Sequence, residues 1–206
     1  MTRIDSLSQR PDRAGRYLVK LSDGSTLRLY RQSVEEFGIC PGLELTEEEL
    51  EQLRVSAGAV SAKMRAVRIV SASNVSREEL EKRLIQKGED PDQAKAAVEW
   101  MGQLNLVDDR VTAKQIVSHC AARGYGEARA KQALYEKRIP RQYWEEALRD
   151  YPDQEEAIVS FLRSRLGADP GEKERRRAAD ALIRRGFCWE QIRRGLRKLD
   201  AEYQED

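Results

Sequence analysis

The sequence predicts a mainly α-helical protein: an elongated tandem array of three three-helix units that follows a small N-terminal cap of a β-hairpin and short helices. Three observations support this fold class. Apolar residues recur with a helical period from about residue 60 to the end, capping signals divide that region into short helices, and three of its segments align with one another. A charged fraction of 35% with only 6% aromatic residues is typical of helices with solvated faces.

Residues 1–58 are predicted to form the cap. The segment GRYLVKLSDGSTLRLY alternates apolar and polar residues on both sides of an Asp-Gly turn, which is a strong short-range signal for a β-hairpin. The next segment predicts a short helix that stops at Gly38, followed by a Pro-Gly turn. A second short helix should begin after Thr46, because Glu49 completes a capping box with it.

Capping residues divide the rest of the chain into helices. The predicted starts are marked by Ser76 with Glu79, Asp90 before Pro91, Pro140, Asp153 with Glu156, and Asp169 before Pro170. The predicted ends are marked by Gly88, Gly124, Gly167 and Gly186, because glycine readily adopts the left-handed conformation that terminates a helix. About eight or nine short helices joined by tight turns should result.

Three segments of the helical region align without gaps: residues 80–98, 130–148 and 178–196, at offsets of 50 and 48 residues. Each segment encodes a helix, a tight turn and a second helix. Apolar or small residues recur at four positions: Leu84, Leu134 and Leu182; Ala94, Trp144 and Ile192; Ala97, Ala147 and Gly195; Val98, Leu148 and Leu196. Because they lie three or four residues apart, they form a stripe on each helix that must be buried.

A further helix before each copy can bury this stripe. These helices are predicted at residues 60–72, 109–123 and 154–166, which gives three-helix repeats at 59–107, 108–152 and 153–206. A tandem array of such units has a long lateral surface, and this surface suits an extended partner. The architecture therefore favours a binding protein over an enzyme.

Charge identifies a candidate binding face. The net charge of the whole chain is +1, but residues 172–198 contain 10 Lys and Arg against 4 Asp and Glu. An arginine-rich helical face suits carboxylate or phosphate groups, although a solvated face or cations at helix ends would give the same pattern. The candidate partner-binding residues are Arg175, Arg176, Arg177, Arg184, Arg185, Arg193, Arg194, Arg197 and Lys198, with Arg77, Lys82, Arg83 and Lys87 of the first repeat as secondary candidates.

No catalytic, metal or cofactor site is predicted. His119 lies beside Cys120, but adjacent helical residues diverge by about 100° and no second histidine exists to complete a site. The pair Asp108-Asp109 precedes a predicted helix and is explained by capping. Phosphate-loop, dinucleotide-binding, zinc-protease and nucleophile-elbow motifs are missing from the sequence.

The aromatic and cysteine residues give weaker signals. Trp100, Trp144 and Trp189 could stack on nucleobases. Core packing better explains Trp144, which shares a repeat position with alanine and isoleucine, and both roles stay open for Trp189. The three cysteines lack the spacing of a disulfide framework or a zinc site.

The predicted location is the cytoplasm, without membrane association. No stretch approaches the roughly 20 apolar residues that span a bilayer. The N-terminus lacks the apolar centre of a signal peptide.

Four segments resemble the RecX family of RecA regulators. They are SREELEKRLIQKG from Ser76, LNLVDDRVTA from Leu104, RGYGEARAKQAL from Arg123 and LIRRGFCWEQI from Leu182. One position departs from the family pattern, because Thr112 stands where the family usually has an aromatic residue after its Asp-Asp motif.

This resemblance implies a monomeric regulator that docks in the groove of the RecA nucleoprotein filament. It should depress ATP hydrolysis, strand exchange and coprotease activity, and thereby act in recombination, DNA repair and the SOS response. The alternative is a helical module that binds single- or double-stranded DNA directly, since each copy has a helix-turn-helix pattern and the third is basic.

Overall fold

A computed structural model describes residues 1–167 and 170–205. The chain divides into two compact units, Met1–Val107 and Asp108–Asp206. The described part is mainly helical with a small N-terminal sheet, as the sequence predicted. The helix start predicted at Asp169 lies outside the described residues, and the repeat boundaries at 58, 107 and 152 stay predictions.

The cap of the first unit is a four-stranded antiparallel sheet in the order β3-β2-β1-β4. Its strands are β1 (Thr2–Leu7), β2 (Arg16–Leu21), β3 (Thr26–Tyr30) and β4 (Glu44–Leu45). The hairpin of β2 and β3 confirms the prediction, with Lys20 opposite Thr26 beside the turn. Strands β1 and β4 were missed: β1 sends only Ile4 fully into the core, and β4 has two residues.

Helix α1 (Arg31–Glu36) follows the sheet, and Gly38 adopts a positive φ of 59° just beyond it, as predicted. Helix α2 (Glu47–Ala72) then begins with the predicted capping box of Thr46 and Glu49. It continues for 26 residues, so the prediction of two separate helices on either side of residue 59 was wrong. A single glycine at position 58 costs only about 1 kcal/mol inside a helix, which is too little to end it.

The first helix set is α2 with α3 (Arg77–Gln86) and α4 (Pro91–Gln103). Ser76 and Asp90 cap α3 and α4 as predicted. Eleven buried residues form the core of this set: Ala62, Ala66, Ile69, Val75, Leu80, Leu84, Ala94, Ala97, Val98, Met101 and Val107. Gly58 lets α4 approach closely, because a β-carbon there would overlap the side chain of Gln93.

The second unit contains two further helix sets. The second set comprises α5 (Asp109–Ala122), α6 (Glu127–Glu136) and α7 (Trp144–Leu148), with a 3-10 turn (Arg141–Tyr143) before α7. The third set comprises α8 (Glu155–Arg163), α9 (Glu172–Arg184) and α10 (Trp189–Glu205). The repeat leucines Leu84, Leu134 and Leu182 are all fully buried, as predicted, whereas the other three stripe positions of the second copy, Trp144, Ala147 and Leu148, are only partly buried.

The predicted helical start after Pro140 is confirmed, although its first turn is the 3-10 turn that precedes α7. Both predicted boundaries of α8 were wrong. Helix α8 has Gln154 at its N-cap, while Asp153 accepts a hydrogen bond from the backbone N–H of Glu155 at 3.1 Å. The same helix ends at Arg163, three residues before the position that Gly167 would require. Gly88, Gly124 and Gly186 do have positive φ angles at helix ends, as predicted.

The second and third sets meet through a backbone junction. The N–H of Gly126 donates to the carbonyl of Arg185 at 2.9 Å, and the N–H of Ala128 donates to the carbonyl of Gly186 at 3.3 Å. A β-carbon at Gly126 would overlap the carbonyl of Gly186. The end of α9 thus satisfies donors at the start of α6 that no side chain caps.

Candidate interaction surface of the second unit

The side chain of Arg175 makes contacts within the second unit. Its guanidinium forms a bidentate ion pair with Asp200, with N–O distances of 2.8 and 2.9 Å. Its Nε also donates to the carbonyl of Pro170 at 3.4 Å. Arg175 therefore ties α9 to α10 and fixes the position of the basic helices.

Arg194 and Lys198 hold α10 against the start of α8. Arg194 contacts Asp153 at 2.7 Å and Glu155 at 2.5 Å. Lys198 pairs with Glu156 and lies 3.5 Å from Glu155. Hydrogen bonding between Lys198 and Glu156 raises the pKa of the lysine and lowers the pKa of the carboxyl. These two cations are therefore largely neutralised by the unit's own carboxylates.

Arg185 is half-buried and stacks on aromatic rings. Its guanidinium carbon lies 4.7 Å from the centre of the Phe161 ring and 5.8 Å from that of Tyr125. Cation–π contacts of this kind stabilise by about 0.5–1 kcal/mol at exposed sites and more when desolvated. Arg185 supports the backbone junction next to it and keeps little surface for a partner.

The other five predicted residues of this unit are exposed and form no ion pair with any described residue: Arg176, Arg177 and Arg184 on α9, and Arg193 and Arg197 on α10. On α10, Trp189, Arg193 and Arg197 follow one another at intervals of four residues and share one helix face. Trp189 is 52% exposed. We call these three residues the arginine stripe.

The face of α9 is less uniform. Arg177 and Arg184 lie seven residues apart on one side of the helix, and the exposed Asp180 interrupts them. A carboxylate there weakens the attraction of this face for an anion. The arginine stripe is therefore the cleaner candidate for recognition of carboxylate or phosphate groups.

The secondary candidates lie on α3 in the first unit and, for Lys87, at the residue that follows this helix. Lys82 and Lys87 are exposed there, whereas Arg83 pairs with Glu79 and donates to the hydroxyl of Ser73 at 3.2 Å. The guanidinium of Arg77 lies over the backbone of Gly102, where a β-carbon would overlap it. Arg77 and Arg83 thus have structural contacts, and the two lysines project into solvent.

The described residues also clarify the groups that could carry chemistry. Cys120 is buried, and burial raises the pKa of its thiol, so the nucleophilic thiolate is disfavoured at neutral pH. His119 points to solvent. Among described residues, no three His, Cys, Asp or Glu side chains are grouped closely enough to hold a metal ion.

The tryptophans have different environments. Trp144 packs on the core of the second set and donates from Nε1 to the carbonyl of Ile139 at 2.9 Å, which confirms its core role. Trp100 packs against the first core, with the ammonium of Lys63 5.4 Å from its ring. Only Trp189, of the three, offers half its surface to a partner.

No helix in residues 1–167 or 170–205 is long and apolar enough to cross a membrane.

The acidic partners of the basic residues were missed by sequence reasoning. Asp200 lies 25 residues from Arg175, and Asp153 lies 41 residues from Arg194. Local spacing carries no signal for such pairs. The sequence therefore overestimated how many of the arginines are available to a partner.

The sequence is similar to regulatory proteins named RecX. Residues 108–148 match a family model described as RecX, second three-helix domain. A regulatory protein RecX of Clostridioides difficile (strain 630) is 27% identical over 205 residues, which cover 97% of this chain and 95% of that protein. The protein of the same name from Chlorobaculum tepidum is 31% identical over 145 residues, which cover 69% of this chain and 90% of that protein.

Two crystal structures share the fold. One is described as regulatory protein RecX and superposes with a TM-score of 0.62 at 19% identity, covering 94% of this chain and 99% of that one. The other is RecX from Lactobacillus salivarius, with a TM-score of 0.63 at 22% identity and coverage of 71% and 99%. At these identities the superpositions support the helical fold alone.

Proposed function

Because this chain belongs to the RecX family of regulatory proteins, we propose that it binds the RecA nucleoprotein filament and lowers its ATPase, strand-exchange and coprotease activities. It acts as a monomer in the cytoplasm, and it regulates rather than catalyses. The observation that carries the proposal is the helix pair repeated three times, whose last copy has exposed arginines that form no ion pair with a described residue. A repeated module suits a partner that is itself periodic.

The arginine stripe is the proposed contact on the second unit. Arg193 and Arg197 lack a carboxylate partner among the described residues, so binding does not first have to break an internal ion pair. Their planar guanidinium groups can form two parallel hydrogen bonds with a carboxylate or phosphate group. Trp189 adds an exposed aromatic surface, and Trp and Arg are enriched where binding energy concentrates.

The first test is the ATPase of RecA on single-stranded DNA. Adding this protein in excess should lower the rate of ATP hydrolysis, and an unchanged rate contradicts the proposed function. The double variant Arg193→Glu/Arg197→Glu should raise the half-inhibitory concentration about tenfold, because like charges then face the partner's acidic groups.

The control is Arg123→Glu/Arg149→Glu, which makes the same change in net charge in the second helix set. Both residues are exposed and form no ion pair with a described residue. This control should inhibit RecA like the wild-type protein. If both double variants lose inhibition equally, total charge matters and the arginine stripe is not the contact.

A DNA-binding module is the second candidate, favoured by the exposed arginines next to Trp189. Fluorescence anisotropy with naked DNA across a salt series separates the two functions. Tight binding with a steep salt dependence, combined with no effect on RecA, would favour the second candidate.

A further inference from the structure

Two adjoining open cavities lie in the first unit, where the loop before β2 and the end of β3 face helices α2 and α3. Their volumes are about 490 and 450 Å³. They share three lining residues, Ala14, Tyr30 and Arg68. We call the continuous depression that they form the cap trough.

The cap trough is lined by seven cationic side chains and by no carboxylate: Arg13, Arg16, Arg31, Arg65, Arg68, Arg83 and Lys87. Four of them pair with carboxylates that lie outside the lining: Arg16 with Asp12, Arg31 with Glu35, Arg65 with Glu89, and Arg83 with Glu79. The remaining three, Arg13, Arg68 and Lys87, form no ion pair with a described residue. The trough therefore keeps an excess of positive charge.

Arg68 stands at the wall that the two cavities share. Its guanidinium donates to the backbone carbonyl of Ala14 and lies 6.0 Å from the centre of the Tyr30 ring. Neither neighbour neutralises its charge. The side chain is thus positioned before any ligand arrives, which reduces the entropy lost on binding.

The other lining residues are mostly apolar. Ile69 and Ala72 line one cavity, and Val60 and Met64 line the other. Such surface suits the sugar and base faces of a nucleotide, while the cations suit its phosphates. Tyr30 is buried beneath Arg68, so its ring is not offered as a stacking platform.

We propose that the cap trough binds the sugar–phosphate backbone of a DNA single strand without regard to sequence. A strand carries a negative charge at every nucleotide and can satisfy several cations of the trough in succession. An isolated carboxylate would satisfy only one of them. The filament contact assigned to the second unit does not require this site, so the proposal adds a second point of attachment.

The test measures anisotropy of a labelled oligo(dT) strand with the full chain, without RecA, across a salt series. The variant Arg13→Gln/Lys87→Gln removes two exposed cations that form no ion pair with the residues the structure describes. If both contact phosphates, the slope of log K against log salt should fall by about 1.4, at about 0.7 per phosphate contact, and the affinity at 0.1 M salt should fall about tenfold or more.

The matched control is Arg28→Gln/Lys95→Gln. Both residues are exposed in the same unit, lack an ion pair among the described residues, and lie outside the trough lining. This control should retain the affinity and the salt slope of the wild-type protein. Equal losses in the two variants, or no loss in the trough variant, would overturn the proposal.

A labelled poly-glutamate peptide tests the competing class of ligand. If it binds the wild-type protein more tightly than oligo(dT) and loses that affinity in the trough variant, the trough recognises an acidic protein segment and the proposal fails. Because RecA is absent from these measurements, their outcome is independent of the RecA ATPase test.

Discussion

The starts of α3 and α6 occupy the same repeat position but are stabilised in different ways. Ser76 precedes α3, and its hydroxyl accepts the backbone N–H of Glu79 at 3.1 Å. Gly126 precedes α6 and has no side chain to offer, so carbonyls at the end of α9 accept the exposed donors. The first start is satisfied within its own segment, whereas the second depends on a helix about 60 residues later in the sequence.

The hydrophobic core of the second helix set is also smaller than that of the first. Eleven buried residues form the core of the first set, while the second has four, Ala113, Val117, Leu134 and Ile139. Half-exposed side chains such as Trp144 and Tyr151 supplement the second core. A thin apolar core provides less free energy of burial. We infer that the second set depends more on polar contacts and on its junction with the third set.

The largest effect is expected from Gly126→Ala. The new methyl group would overlap the carbonyl of Gly186, forcing the two backbones apart and removing the hydrogen bonds made by Gly126 and Ala128. Overpacking costs about 1–3 kcal/mol and each donor that loses its partner about 1–3 kcal/mol, so the free energy of unfolding of the second unit should fall by at least about 3 kcal/mol. Urea unfolding followed by circular dichroism measures this loss.

Gly171→Ala is the matched control for this change. Gly171 is also a helix N-cap, but no heavy atom of a described residue lies within 4 Å of the position that its β-carbon would take. Alanine is a poorer N-cap than glycine, so a loss of about 0.5–1 kcal/mol is expected, well below that of Gly126→Ala. Equal losses in the two variants would show that the junction does not stabilise α6.

The contrast between local and distant contacts also explains how much the sequence could predict. The caps at Thr46, Ser76 and Asp90 act over two or three residues, and the sequence identified all three. The repeat leucines were identified because helical periodicity is local as well. The junction at Gly126 joins segments that are distant in sequence, and no local pattern marks such a contact.

For the candidate site, too, the sequence predicted local features but not contacts between distant residues. Composition identified the basic helices, but it could not separate Arg193, which stays exposed without an ion pair, from Arg194, which pairs with Asp153 and Glu155. Adjacent residues on α10 point in different directions, and only the packing of α8 decides which of them meets a carboxylate. The cap trough was missed because its cations come from separate parts of the first unit: the loop before β2, strand β2, helices α1, α2 and α3, and the residue after α3.

A smaller effect is expected from Tyr151→Phe in the second core. The hydroxyl of Tyr151 donates to the carbonyl of Tyr125 at 2.6 Å, next to the junction. Its loss should lower the free energy of unfolding by about 1 kcal/mol, the usual net value of one hydrogen bond. Thermal unfolding of the variant measures this, and Tyr135→Phe, at a 70% exposed tyrosine, should have no effect.

Tyr151→Phe should also change how the stability of the second unit depends on alkaline pH. Burial raises the pKa of Tyr151 from 10 to about 12. Since the folded-state pKa is raised, the contribution of this group is fully present below pH 10 and is lost as the pH rises toward 12. The wild-type second unit should therefore lose stability over this range, and the phenylalanine variant should lose less. Identical alkaline profiles would contradict the role assigned to Tyr151.

The smallest effect is expected from Glu146→Gln, which tests how far surface charge compensates for the thin second core. Glu146 on α7 contacts Arg110 at 2.7 Å and Lys114 at 2.8 Å, both on α5. Hydrogen bonds from these cations lower the pKa of Glu146 from 4.5 to about 2. Its contribution to stability is thus present above pH 4.5 and is lost as the pH falls toward 2.

At neutral pH the variant should melt slightly below the wild-type protein, and the difference should vanish near pH 2 or in 1 M salt, where exposed ion pairs are screened. Glu145→Gln, at an exposed neighbour without an ion pair among the described residues, should not change the melting temperature.

Hydrogen exchange localises the effect of acid on the second set. Amides of α7 should lose protection on acidification before those of α4, whose side chains Ala94, Ala97 and Met101 are buried in an apolar core. If the amides of α4 and α7 lose protection at the same pH, the ion pairs of Glu146 do not make the second helix set more sensitive to acid than the first.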